Sequence, residues 1–253
     1  GMYAHPAVAA NVQTLIERGA YLIEPEEGRF ASGLYGKGRL PETPMLIGAI
    51  RAAIGRGGIL DGRRVIVTAG GTREALDPVR YITNRSSGKQ GYALAQAAID
   101  AGAQVTLITS ADLHDPFSAQ VIRVGSAREL HDAVLRESAN ADVLIMAAAV
   151  ADFRPAVAAD HKIKKSDDNA GLTIQLARNP DILAAVAERR AHTGTPRVLV
   201  GFAAESRDVI TYGQEKLTRK GLDLLVANDI SASDAGFEVD SNRVILIGRS
   251  SVE

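Results

Sequence analysis

From about Asp61 onward, the apolar positions of this chain alternate between two rhythms. Short aliphatic runs at Arg64–Thr68, Gln104–Thr109, Val121–Val124, Val143–Ala148, Arg197–Phe202 and Leu222–Val226 read as strands, most of them buried on both faces of a parallel sheet. Between several of them the spacing becomes helical. Tyr92, Ala95, Ala98 and Ile99 share one face and stop at Gly102. Ser126 and Glu129 form a capping box ahead of Leu130, Ala133 and Val134. Asn179, Pro180 and Asp181 supply an N-cap, a first-turn proline and an acidic residue before Ile182, Leu183 and Val186. A further helix is expected from Ser206 to Gly221.

Strand and helix in turn predict an α/β fold, a Rossmann-like open and mostly parallel sheet with helices on both faces. Two segments break the alternation. His161–Lys165 with Leu172–Leu176 predicts a small projecting β ribbon, and Arg243–Ile247 a terminal strand that can pair antiparallel. The residues before Gly55-Arg56-Gly57-Gly58 are different in kind: Val8, Val12, Leu15 and Ile16 mark an amphipathic helix ending at Gly19, followed by a Gly- and Pro-rich stretch from Pro25 to Pro44. With too few apolar residues for a core, this part is expected to pack on a partner or to be partly disordered. The pattern thus divides the chain into 1–58 and 59–253.

Composition narrows the function classes. The 253 residues, 46% hydrophobic and 23% charged, are those of a globular domain. A formal net charge of −1 argues against a generic nucleic-acid binder. Apolar stretches such as Val143–Ala151 are far too short to span a membrane. The sequence contains no cysteine, so neither disulfides nor thiol chemistry enter, which fits a cytoplasmic location.

In an open parallel sheet, ligands sit beyond the carboxyl ends of the strands, near the switch in strand order. The first such end opens into the polar loop Gly70–Gly91, which carries Arg73, Arg80, Arg85 and Lys89 and leads into a helix N-terminus. Glycines there let backbone N–H groups approach an anion. Ala147-Ala148-Ala149-Val150-Ala151-Asp152 leaves the fourth strand, and its alanines read either as a surface for a flat ring or phosphate or as tight sheet packing. Standard nucleotide motifs fail: Gly88-Lys89 is followed by Gln90, with Thr83 where a Walker A loop needs its first glycine, and no Gly-x-Gly-x-x-Gly follows Thr68. Tyr212 and Lys216 have the Tyr-x-x-x-Lys spacing of short-chain NAD(P) dehydrogenases, a rival reading as an oxidoreductase.

Thr68–Gly91, Ala147–Arg154, Lys162-Ile163-Lys164-Lys165, Asn179-Pro180-Asp181-Ile182 and Val200–Glu205 together resemble, in order and spacing over Asp61–Ile247, bacterial phosphopantothenoylcysteine synthetase. The resemblance implies a ligase of coenzyme A biosynthesis that joins 4'-phosphopantothenate to L-cysteine with CTP and Mg2+ through an acyl cytidylate, acting as a homodimer. It implies Asn84 and Lys162 as catalytic residues, with Asn84 at the substrate carboxyl and Lys162 on the triphosphate. Gly70, Gly71, Ser86, Ser87, Gly88 and Gly91 would hold the phosphopantothenate with Asn84. Met146, Ala147, Ala148, Asp152, Pro180, Asp181, Ile182, Leu183, Phe202, Lys216 and Lys220 would complete the CTP site; the metal ligands stay unknown, and the base, CTP or ATP, is open.

Met2-Tyr3-Ala4-His5-Pro6-Ala7 and Ser32–Arg39 are similar to the tail of the flavin-dependent decarboxylase commonly fused ahead of this synthetase. That resemblance implies residues 1–58 are a remnant of a flavin domain plus linker. Ser32 stands where many of those decarboxylases have a reactive cysteine, so neither decarboxylase activity nor FMN is expected of this chain. The family usually continues beyond Glu253, with a last helix, and the full-length bifunctional enzyme implies a larger assembly.

Overall fold

A computed structural model describes residues 2–164, 171–205, 208–229, 244–249 and 251–252. Lys165, Ser206 and Arg243, which the sequence pattern places in the ribbon, at a helix start and in the last strand, lie outside the described residues. Helix α1 (Pro6–Glu17), the antiparallel pair β1 (Glu26–Arg29) and β2 (Tyr35–Arg39), and α2 (Thr43–Gly55) precede the sheet domain. The first strand of that domain, β3 (Arg64–Ala69), is followed by β4 (Arg73–Ala75), β5 (Tyr81–Thr83) and α3 (Lys89–Asp100). Then come β6 (Gln104–Thr109), β7 (Gln120–Arg123), α4 (Ala127–Ser138), β8 (Val143–Met146), β9 (Phe153–Pro155) and β10 (Leu176–Arg178). The remaining elements are α5 (Ile182–Thr193), β11 (Val198–Glu205), α6 (Val209–Arg219), β12 (Leu224–Asp229) and β13 (Val244–Gly248).

Seven strands form one sheet in the order β13-β12-β11-β8-β3-β6-β7. All pairs are parallel except β12 with β13. From β3 the chain first builds outward through β6 to β7, then returns to the other side of β3 and builds through β8, β11 and β12. That reversal is the switch point, and it lies between β3 and β8. Strand side chains alternate between two cores. Val65, Val67 and Leu107 meet Tyr92, Ala95 and Ile99 of α3 on one face. Ile66, Leu144, Leu199 and Leu225 meet Leu130, Val134, Val186 and Leu217 on the other.

Three departures from the sequence pattern have physical causes. The ribbon exists, but it pairs β9 with β10, Phe153–Pro155 against Leu176–Arg178, rather than His161–Lys165 against Leu172–Leu176. The N–H and C=O of Ile163, which a ladder would have used, are taken by Asp77 and Arg80 instead. Helix α5 is capped by Asp181, whose Oδ1 accepts from Ala184 N at 3.0 Å, not by Asn179. Asn179 is committed elsewhere, its amide donating to Ala151 O at 2.8 Å. Finally, α2 packs against the sheet domain itself: Ala49 is fully buried, Arg51 donates to Asp100 of α3, and Gly55 lies where a Cβ would stand 2.6 Å from Ile99 O. Phe117 packs over Gly48, so this helix packs against α3 and the loop after β6.

Candidate active site

The loop predicted between β3 and α3 is a folded unit with its own antiparallel pair, Arg73–Ala75 against Tyr81–Thr83. Two buried threonines attach it to the turn after β8. Thr68 Oγ1 accepts from Ala148 N at 3.1 Å, and Thr72 Oγ1 accepts from Ala151 N at 3.0 Å. Between those anchors Ala149 N donates to Gly70 O at 2.8 Å and Thr72 N to Ala149 O at 3.2 Å. The backbone thus continues as a short bridge, Gly71 beside Ala149, past the ends of both strands at the switch point. This is why β8 ends at Met146 rather than running on to Ala148.

Asn84 projects from the end of β5, and its Nδ2 donates to Val150 O at 3.0 Å. The alanine turn therefore receives Asn84 as well as crossing the strand ends. After Asn84 the chain passes through Ser86 and Ser87 to Gly88, the residue preceding α3, which has φ 78°. A Cβ on Gly88 would stand 2.5 Å from Ala111 Cβ, and one on Gly91 2.5 Å from Ala69 Cβ and 2.8 Å from Thr68 O. Only glycine lets the first turn of α3 sit this close to the strand end. The helix N-terminus then faces a cavity of about 290 Å³ lined by Gly71, Arg73, Tyr81, Asn84, Arg85, Ser86, Ser87, Ser110 and Asp112. The positive end of the helix dipole favours an anion there. Arg73, which also stacks over Tyr81 at 5.6 Å, and Arg85 add positive charge to the wall.

A second group assembles on the other side of the alanine turn. Asn179 N donates to Asp152 O at 2.8 Å, and Arg154 Nη1 donates to Asn179 Oδ1 at 3.1 Å. These bonds bring Asp152 beside Pro180, Asp181, Ile182 and Leu183 at the start of α5. Lys220, at the end of α6, donates to Asp181, and Lys216 donates to Phe202 O at 3.3 Å. Burial alone pushes the Asp181 carboxyl up, but the hydrogen bond from Lys220, the helix N–H of Ala184 and nearby positive charge prevail and hold it below the ordinary carboxylate range. Lys162 is exposed, on the segment between β9 and β10. The expected residues thus fall into two clusters joined by the turn Ala147–Asp152: Gly70, Gly71, Asn84, Ser86, Ser87, Gly88 and Gly91 on one side, and the Asp152, α5, Phe202 and α6 residues on the other.

Arg80 departs from its expected role in the anion cradle. It turns away from the 290 Å³ cavity to pair with Asp77 at 2.5 Å. Thr68, Thr72, Thr83 and Ser110 were missed by sequence reasoning. Thr83 Oγ1 donates to Thr72 O at 2.7 Å and Ser110 Oγ to Gly71 O at 2.8 Å, so these hydroxyls hold the loop to the strand ends. The available signal was a hydroxyl residue at or just beyond three successive strand ends. A larger cavity, about 620 Å³, opens at the opposite end of the sheet among Tyr21, Arg64, Gln104 and Arg136. Those are the amino ends of the strands, away from the switch point.

The sheet order, the glycine-rich turn into α3 and the cavity walled by Arg73 and Arg85 define a Rossmann-like α/β domain with a pocket beyond its strand ends at the switch point. Residues 60–253 match the family described as DNA/pantothenate metabolism flavoprotein C-terminal domain, and the chain belongs to that family. It is 49% identical over 264 residues to the coenzyme A biosynthesis bifunctional protein CoaBC of Mycobacterium bovis, a match covering 100% of this chain and 63% of that protein. The CoaBC of Vibrio cholerae is 48% identical over 246 residues, covering 97% and 61%. The chain thus spans about three-fifths of the length of these curated relatives. Among solved structures it is similar to the crystal structure of the C-terminal domain of CoaBC, with 37% identity, a TM-score of 0.63, and coverage of 77% of this chain and 86% of that one. The resemblance read from Thr68–Gly91 and the later motifs therefore holds. The dehydrogenase reading of Tyr212 and Lys216 is not favoured by these relationships.

Proposed function

We propose that this chain is a phosphopantothenate–cysteine ligase of coenzyme A biosynthesis, using CTP through an acyl-cytidylate intermediate. The observation that carries the reading is the hydrogen bond from Asn84 to Val150 O. The Asn84 amide of the anion loop lies against the turn that also borders the second cluster, which supports a carboxyl group and a nucleotide α-phosphate meeting there. Naming of the bifunctional relatives for coenzyme A biosynthesis supports the pathway.

The chemistry balances in two steps. A carboxylate oxygen of 4'-phosphopantothenate attacks the α-phosphorus of CTP; a C–O–P bond forms and pyrophosphate leaves. The amine of L-cysteine then attacks the acyl carbon, a C–N bond forms, the amine loses a proton and CMP leaves. Positioning and charge neutralisation supply most of the catalysis in such transfers. Gly70, Gly71, Ser86, Ser87, Gly88 and Gly91 hold the substrate phosphate at the N-terminus of α3. Asn84, which can both donate and accept, lies at the reacting carboxyl. The nucleotide lies along Met146–Ala148, Asp152, Pro180–Leu183, Phe202, Lys216 and Lys220, and Lys162 neutralises triphosphate charge.

Mg2+ would neutralise polyphosphate charge and polarise the α-phosphate when bound. Among the described residues no group of three or more His, Cys, Asp or Glu side chains is placed to hold a metal. The donor set thus fits a metal carried in largely on phosphate and water oxygens, as Mg2+ commonly is. In this reading residues 1–58 resemble the tail of a flavin decarboxylase domain with its linker, the enzyme is a cytoplasmic homodimer, and the bifunctional protein forms a larger assembly. Among the described residues no helix is long and apolar enough to cross a membrane.

The test is pyrophosphate release with 4'-phosphopantothenate, L-cysteine, Mg2+ and either CTP or ATP. Release that needs 4'-phosphopantothenate and prefers CTP is expected. Release only with ATP would overturn the choice of nucleotide, and none with either would overturn the ligase reading.

A further inference from the structure

Asp77 and Arg80 sit in the anion loop, yet both are spent on a segment more than eighty residues further along. The Asp77 side chain is fully buried. It accepts from Val79 N and Arg80 N, each at 2.8 Å, and from Arg80 Nε at 3.0 Å and Nη2 at 2.5 Å. Its fifth donor is Ile163 N, at 3.1 Å, and Arg80 Nη2 returns to Ile163 O at 2.8 Å. Both backbone groups of one residue are thus gripped by one ion pair. A further bond, Ala159 N to Leu76 O at 2.9 Å, lays the same segment along the loop, and the Ile163 side chain borders a small cavity with Leu76 and Leu172.

The residues flanking Ile163 are Lys162 and Lys164. A lysine ammonium on a flexible four-carbon stem is a poor fixed charge unless its backbone is held. Arg-carboxylate pairs with two parallel bonds are directional, which suits them to fixing a peptide unit. Four residues beyond Arg80, along β5, comes Asn84, so the same pair fixes the lysine segment relative to the loop that bears the amide.

We propose that Asp77 and Arg80 are positioning residues: they clip Ile163 to the anion loop and thereby set Lys162 over the phosphates of a bound nucleoside triphosphate. The proposal rests on the reading of Lys162 as a triphosphate contact. It goes beyond that reading in assigning the clip to a pair that does not itself touch either substrate.

Arg80→Met is the informative variant, because the Arg80 side chain is 44% exposed and Asp77 keeps its bonds from the N–H groups of Val79, Arg80 and Ile163. Arg80→Lys keeps the charge without the two-pronged geometry. Three measurements are made on the whole chain: calorimetric affinity for Mg-CTP and for 4'-phosphopantothenate, pyrophosphate release, and amide exchange at Ile163. In Arg80→Met, exchange at Ile163 rises, CTP binds more weakly, and turnover falls about a hundredfold, the scale on which a misplaced group costs rate. Affinity for 4'-phosphopantothenate stays at the parental value, and Arg80→Lys recovers only part of the loss. Parental CTP affinity and turnover in Arg80→Met would overturn the clip, as would an equal loss of 4'-phosphopantothenate binding, the mark of a general collapse of the loop. If the parent binds CTP but releases no pyrophosphate, the ligase reading fails, and the clip stands or falls on CTP affinity and exchange. A parent that does not bind CTP overturns both.

Discussion

Lys162 and Asn84 are the residues on which the proposed chemistry turns, and each has a separable consequence. Replacing Lys162 with Gln keeps a hydrogen-bond donor and removes the charge. Turnover should fall by the equivalent of about 3 kcal/mol, the scale for losing one donor aimed at developing charge. Steady-state pyrophosphate release measures it, and near-parental turnover would take Lys162 out of the site. Asn84→Asp puts a negative charge where an acyl phosphate forms, and like charges repel. That variant should fail to use the acyl cytidylate or let it accumulate, which mass spectrometry of reactions lacking and containing cysteine would distinguish. The roles proposed for these two residues were legible through motif resemblance. Those of Thr68 and Thr72 were not, because a strand-end threonine declares its partner only once the turn after β8 has folded against it at 3.1 Å and 3.0 Å.

Among the elements, α3 and its loop make the sharpest case for glycine. An alanine at Gly91 would place its Cβ 2.5 Å from Ala69 Cβ and 2.8 Å from Thr68 O, both on a central strand. Overpacking of this kind costs about 1–3 kcal/mol, so chemical denaturation of Gly91→Ala should show that loss, together with weaker 4'-phosphopantothenate binding as α3 is pushed off its strand. The clip between the loop and the lysine segment carries a pH signature. The hydrogen bonds from Arg80 hold the Asp77 carboxyl far below the usual carboxylate range against the opposing effect of burial, with the N–H groups of Val79, Ile163 and Arg80 helping. A depressed carboxylate stabilises the folded state at pH values above its unfolded pKa, and that contribution is lost as pH falls toward the folded value. The stability gap between parent and Asp77→Asn should therefore be constant from about pH 8 to pH 5 and narrow below about pH 4. A gap that narrows near neutrality would contradict the assignment.

Strand existence was legible in the elements because buried parallel strands are apolar throughout. Their ends were less so: β8 stops two residues early and β11 runs to Glu205, since strand ends are set by partners that a local pattern does not contain. The ribbon shows the same limit. Its apolar residues gave the right kind of element on the wrong residues, because the competing grip of Arg80 and Asp77 on Ile163 comes from 83 and 86 residues away.

For the whole molecule, the sheet order explains why scattered motifs form one site. Strands β3 and β8 are neighbours in space although they are far apart in the chain, and the motifs Thr68–Gly91, Ala147–Arg154 and Val200–Glu205 all reach strand ends on this side of the sheet. The α/β class and the parallel sheet followed from alternation alone. The place of α2 did not: a helix with few buried residues, Gly48, Ala49 and Gly55, packs through small side chains that carry little hydrophobic signal. The central claim is that this assembled switch point activates a carboxylate as a mixed anhydride with a nucleotide. It is tested most directly by incubating the protein with 4'-phosphopantothenate, Mg2+ and CTP while withholding cysteine, then recording the mass spectrum of the bound small molecules. A species with the mass of 4'-phosphopantothenoyl-CMP, discharged when cysteine is added, is the predicted result; CTP recovered intact with no such species would contradict it.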